Sequence, residues 1–145
     1  LPADWEGYTI AKEMWEGNPL NASTTAEEGV KILIRNPHWT TAMPYEDIPI
    51  LVFTVDQWNS YQAENFSVSA APILAEELGR NNMYVFALPP RWNFDYNEGF
   101  EEAEHIVNSN PLTTFNVQGN VSGKINIDFV CQFPSCALMF LIFFF

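Results

Sequence analysis

The sequence predicts an α+β domain: a mostly antiparallel sheet with two or three helices, plus an apolar C-terminal tail. Three observations lead there. Residues 30–35, 50–55 and 83–88 are β-branched or continuously apolar runs of strand length, each closed by Asn, Asp or Pro. Residues 99–108 repeat their apolar positions at helical spacing. The net charge of −12 over 145 residues sits wholly before Phe129, so an acidic body precedes an uncharged end. Strands interleaved with helices at short spacing give α+β, and 145 residues suit one domain with a real core. We divide the chain into an acidic domain over 1–120 and a strand-like linker and tail over 121–145.

Along the chain, Tyr8-Thr9-Ile10 alternates and opens a short strand. Residues 18–29, rich in Asn, Ser, Thr and Glu, read as a loop. The strand at 30–35 ends at Asn36-Pro37, and 37–49, with three prolines, crosses the surface as a loop. The run 50–55 suits a strand buried on both faces. Asp56 is the expected N-cap of a helix, with Trp58, Tyr61 and Asn65 following at helical spacing. Residues 72–78 read as a second short helix, with Pro72 in its first turn and Gly79 past its end. Asn81-Asn82 turns into the strand at 83–88, which Pro89-Pro90 stops, and 91–97 form an aromatic loop.

The helix at 99–108 places Phe100, Ala103, Ile106 and Val107 on one face. Glu101, Glu102 and Glu104 face water or sit at its positive end. Asn110-Pro111 stops it. Residues 113–117 and 121–130 are further strand candidates, the latter with Val121, Ile125, Ile127 and Phe129 alternating.

Taken together, Gly7-Tyr8-Thr9-Ile10 with Trp15, the strand ending Arg35-Asn36-Pro37, Ile48-Pro49-Ile50-Leu51-Val52, Tyr84-Val85-Phe86 and the late helix follow a recognisable order. Over about residues 5–115 this pattern resembles PsbP-like domains, small αβα sandwiches. The resemblance implies a non-catalytic binding or assembly module and transfers no functional residue.

Composition narrows the function classes. Hydrophobic residues at 48% and aromatics at 15% argue against disorder. Eighteen acidic residues against six basic ones leave no basic patch for nucleic acid. The opening Leu1-Pro2-Ala3-Asp4 lacks an initiator Met, as expected of a processed or partial product. Sequons at Asn21-Ala22-Ser23, Asn65-Phe66-Ser67 and Asn120-Val121-Ser122 lean toward a secreted glycoprotein. The expected location is extracellular or extracytoplasmic, with membrane association through the tail.

Catalytic signatures are weak. No Gly-x-Ser-x-Gly elbow occurs, and both cysteines lie in the tail. Any Ser-His-acid arrangement must use His38, in a loop, or His105, one helical turn from Glu101 and Glu102. A small hydrolase using His38 and a nearby carboxylate is the alternative reading. No cofactor or metal is expected. Cys131-x4-Cys136 lacks two further ligands and fits a local disulfide or two apolar thiols. Asn93, Asp95, Asn97 and Glu104 have calcium-loop spacing but no Gly at the sixth position, so Asp95 and Asn97 are read as helix caps.

The aromatic loops carry the stronger signal. Trp39 and Tyr45 lie in one Pro-rich loop, while Trp92 and Tyr96 lie in another beside Arg91. Large rings on stiff loops lose little entropy on binding, and a guanidinium adds a fork for a carboxylate. These five residues are the expected contact face of a non-enzymatic binding or interaction protein, for a protein, peptide or carbohydrate ligand. In the tail, Leu138, Phe140, Phe143, Phe144 and Phe145 are expected to meet a membrane or another subunit. From about Phe133 onward the tail is expected to add nothing to the fold of the body.

Overall fold

The computed structural model describes residues 1–116 in full and, beyond them, the backbone of 125–130 and 138–144. A short 3-10 turn, Ala3–Trp5, leads into strands β1 (Thr9–Pro19), β2 (Glu27–Arg35) and β3 (Ile48–Thr54). Helix α1 (Val55–Gln62) and strands β4 (Phe66–Ser67), β5 (Glu76–Arg80) and β6 (Tyr84–Leu88) follow, then helix α2 (Phe100–Asn108) and strand β7 (Leu112–Thr113). A six-stranded antiparallel sheet in the order β4-β1-β2-β3-β6-β5 forms the body. The α+β class holds.

The apolar runs form the centre of this sheet because only there are both faces covered. Successive residues of β3 alternate sides: Ile48, Ile50 and Val52 pack with α2, and Leu51 and Phe53 pack with α1. In β6, Phe86 joins the first group, and Val85 and Ala87 join the second. Each large apolar side chain so buried stabilises the fold by roughly 1.5–3 kcal/mol. A helix therefore lies on each face.

Local chemistry moved several boundaries. β1 runs eleven residues, through positions expected to be loop, since Thr9–Gly17 pairs continuously with Glu27–Arg35. Within that ladder Trp15 faces Gly29. A Cβ on Gly29 would lie 2.5 Å from the indole, so only glycine lets the ring lie flat across β2. Helix α1 is capped by Thr54, not Asp56. The Thr54 hydroxyl accepts from the Gln57 N–H at 3.1 Å, and Gln57 Oε1 accepts from the Thr54 N–H at 3.0 Å. Asp56 sits in the first turn, and α1 ends before Asn65. Helix α2 starts from Gly99 at φ +83° with no side-chain cap, so Asp95 and Asn97 do not cap it.

The helix expected over 72–78 does not form. Residues 72–75 are irregular there, and Glu76–Arg80 forms strand β5 along β6. Asn81 makes the hairpin: its Oδ1 accepts from the N–H of Met83 at 2.9 Å and of Tyr84 at 2.8 Å. Pairing with the apolar β6 satisfies backbone groups that a short Pro-led helix would leave to water.

Residues 112–116 run beside β5, where the Thr114 hydroxyl donates to the Arg80 carbonyl and Asn116 Oδ1 accepts from the Asn82 N–H. β7 joins a second, three-stranded sheet in the order β7-β9-β8, with β8 (Ile125–Val130) and β9 (Leu138–Phe144). β9 lies antiparallel to β8 and parallel to β7, so much of the tail is strand outside the six-stranded sheet. Val117, Asn120, residues 121–124, Cys131, Cys136 and Phe145 lie outside the described residues. Among the described residues no helix is long and apolar enough to cross a membrane.

Candidate functional site

The two aromatic loops meet at one end of the sheet. The Glu46 N–H donates to the Glu98 carbonyl at 2.8 Å, and Glu46 Oε2 accepts from the Asn97 N–H at 3.2 Å. Glu46 is only 6% exposed. Burial raises its pKa against those Asn97 hydrogen bonds, and the charges of Asp47 and Asp95 push the same way. Asp47 is raised by burial too, opposed by Arg35, whose Nε lies 3.1 Å from Asp47 Oδ2.

That scaffold fixes some of the expected contact residues. The Arg35 guanidinium lies 4.0 Å over the Trp39 ring, so one face of this half-buried indole is already taken. Tyr45 packs beside Gly99, where a Cβ would come within 3.0 Å of its ring, and 5.6 Å from the His38 imidazole. Tyr96 is 66% exposed and meets Phe100 edge-on. Arg91 is exposed at φ +53°. The structure therefore brings Trp39 and Tyr45 to the loop junction, and Tyr96 to the start of α2.

Trp92 lies in a cleft that Trp39, Tyr45 and Glu46 do not line. Half-buried, it packs against the α2-side core, and the cleft, of about 440 Å3, lies between β5, the end of β6 and α2. Glu76 and Glu77 come from β5, Leu88 from β6, and Glu104, Val107 and Asn108 from α2. Glu77 is engaged by the Arg80 guanidinium, which holds its carboxyl below the usual range. Glu104 Oε1 accepts from Asn93 Nδ2 at 3.2 Å. An indole and two further carboxylates thus line one cleft whose accessible surface is mostly polar, an arrangement suited to a cation.

Sequence reasoning found Trp92, weighed Glu104 only as a calcium-loop position, and missed Glu76 and Asn108. The signal that could have found Glu76 is the hairpin turn at Asn81-Asn82, which sets a strand before it as well as after. Glu104 and Asn108 share a helix face with Val107 by spacing, but nothing local says what that face meets.

A second groove, about 610 Å3, lies at the other edge of the sheet among Leu20, Phe66, Pro72, Ile73 and Leu74. The His38 imidazole makes no ion pair or hydrogen bond with a carboxylate among the described residues, and His105 is exposed on α2. Among the described residues no three His, Cys, Asp or Glu side chains gather where they could hold a metal ion. The chain matches no protein-family model, no curated protein and no solved structure.

Proposed function

We propose that the protein is a non-enzymatic, extracytoplasmic binding or interaction module whose ligand is a basic peptide segment held in the Trp92 cleft. The observation that carries this reading is the convergence of Trp92, Glu76 and Glu104 on one cleft. A lysine or arginine there gains both ring and carboxylate attraction, and the net charge of −12 steers cations to the surface. Helices on both faces of the sheet support the likeness to PsbP-like αβα sandwiches, and the apolar strand β9 supports membrane or subunit association through the tail. A hydrolase built on His38 has no such support.

Tryptophan fluorescence tests the reading with little ambiguity. Trp5, Trp15 and Trp58 are at most 5% exposed, so Trp39 and Trp92 are the indoles a ligand can touch directly. A lysine-rich peptide is expected to shift emission at low salt, with Trp92→Ala abolishing the change and Trp39→Ala preserving it. Added salt weakens binding. A response only to neutral oligosaccharides, or one lost with Trp39 alone, overturns this assignment.

A further inference from the structure

We propose that Asn21 is an N-glycosylation acceptor and that Asn65, in an equally complete sequon, is not. The folded chain carries a glycan most readily where the asparagine Nδ2 is open to solvent and the sequon hydroxyl two residues on lies beside the same side chain. Nδ2 bonds to C1 of the sugar as the C1–O bond to a lipid pyrophosphate breaks. The pyrophosphate leaves with the electron pair, and the amide proton passes to a base of the transferase.

At Asn21 these conditions coincide. The residue is exposed in the turn between β1 and β2. Its Oδ1 accepts from the Ser23 hydroxyl at 2.7 Å and from the Ser23 N–H at 3.2 Å, a closed Asx turn. Its Nδ2 has no acceptor among the described residues. A glycan on this loop tip displaces no core group.

At Asn65 each condition fails. Its Nδ2 donates to Ser60 Oγ at 3.3 Å. The Ser67 hydroxyl points elsewhere, donating to the Ser69 carbonyl. Between them Phe66 is 2% exposed, so the sequon lies against the aromatic core.

This inference takes from the proposed function only the extracytoplasmic location, and failure of the peptide titration leaves it standing. The test is expression of the full chain behind a secretory leader in eukaryotic cells. The folded chain is recovered from the lumen or medium, treated with peptide-N-glycosidase in heavy-oxygen water, and peptide-mapped by mass spectrometry. The expected result is label at Asn21 in most molecules and little at Asn65. Ser23→Ala removes the label at Asn21, and Ser23→Thr keeps it. An unlabelled Asn21, or occupancy at Asn65 equal to or above that at Asn21, overturns the proposal.

Discussion

On the α1 face of the sheet, Trp15, Phe53, Trp58, Tyr61 and Phe66 meet ring to ring, whereas the α2 face is filled by Ile32, Ile34, Ile48, Ile50 and Ile106 around Trp5. Phe53 stands 4.6 Å from the Trp15 ring, 5.3 Å from Trp58 and 5.4 Å from Tyr61. Such pairs add about 0.5–1.5 kcal/mol each beyond burial. Two polar tips on this face are paired: Trp15 Nε1 donates to the Val52 carbonyl at 3.0 Å, and the Tyr61 hydroxyl accepts from the Ala75 N–H at 2.7 Å. On the other face, Trp5 Nε1 has no hydrogen-bond partner among the described residues, and a small apolar void of about 20 Å3 lies among Ile34, Ile50 and Ile106. The aromatic rings are themselves buried, and Tyr61 and Phe66 border the groove at that edge of the sheet. On the aliphatic face the Trp92 cleft opens between β5, the end of β6 and α2.

Four substitutions would break or sharpen that contrast. Phe53→Ala removes the ring at the centre of the aromatic cluster and is expected to cost about 3–5 kcal/mol in urea unfolding. A cost below that of Ile50→Val, about 0.5–1.5 kcal/mol, would show that the cluster is not the stability centre. Tyr61→Phe leaves the buried Ala75 N–H without its acceptor and is expected to cost about 1–3 kcal/mol. Trp5→Phe on the opposite face deletes an N–H that has no partner among the described residues, so lost packing and relieved desolvation offset each other. Its net change should stay under about 1 kcal/mol; a larger loss than Tyr61→Phe would reverse the comparison.

The pH dependence probes the loop junction and gives the smallest effect. Burial raises Glu46 and Asp47 above their ordinary carboxylate pKa values. The stability linked to their protonation is fully present below those ordinary values and is lost as pH rises through the raised ones. Glu77, lowered by Arg80, acts in the opposite direction, but its pair is exposed and contributes little. Glu46→Gln keeps an acceptor for the Asn97 N–H while removing the buried charge. Its Tm is expected to exceed that of the wild type slightly at pH 7 and to match it near pH 4. A constant offset across that range would show that the charge is not the cause.

How much of this was legible in the residues depended on how local the cause was. Residues 30–35, 50–55 and 83–88 lie in strands as their apolar runs required, apart from a residue at their ends, because an unbroken apolar run has to be buried wherever it folds. Helix α2 followed from its spacing, with Ala103 and Ile106 buried as expected. The segment 72–78 failed because a short Pro-led stretch has no strong preference of its own, and the free edge of β6 decided it. The contact face divided for the same reason. Trp39, Tyr45 and Tyr96 were identified as large rings on stiff loops, but only packing set Trp39 under Arg35 and Tyr45 beside Gly99.

By itself the sequence determined which segments must be buried, where α2 begins and ends to within a residue, and that the body is acidic and the end is not. Those properties belong to single segments, since hydrophobic period and charge act whatever the neighbours. Only the tertiary structure decided that Trp92 belongs with Glu76 and Glu104 rather than with Trp39, and that Asn21 is open while Asn65 is engaged. Both outcomes are set by which strand edges and loops meet across the chain, and no local window of residues contains that information.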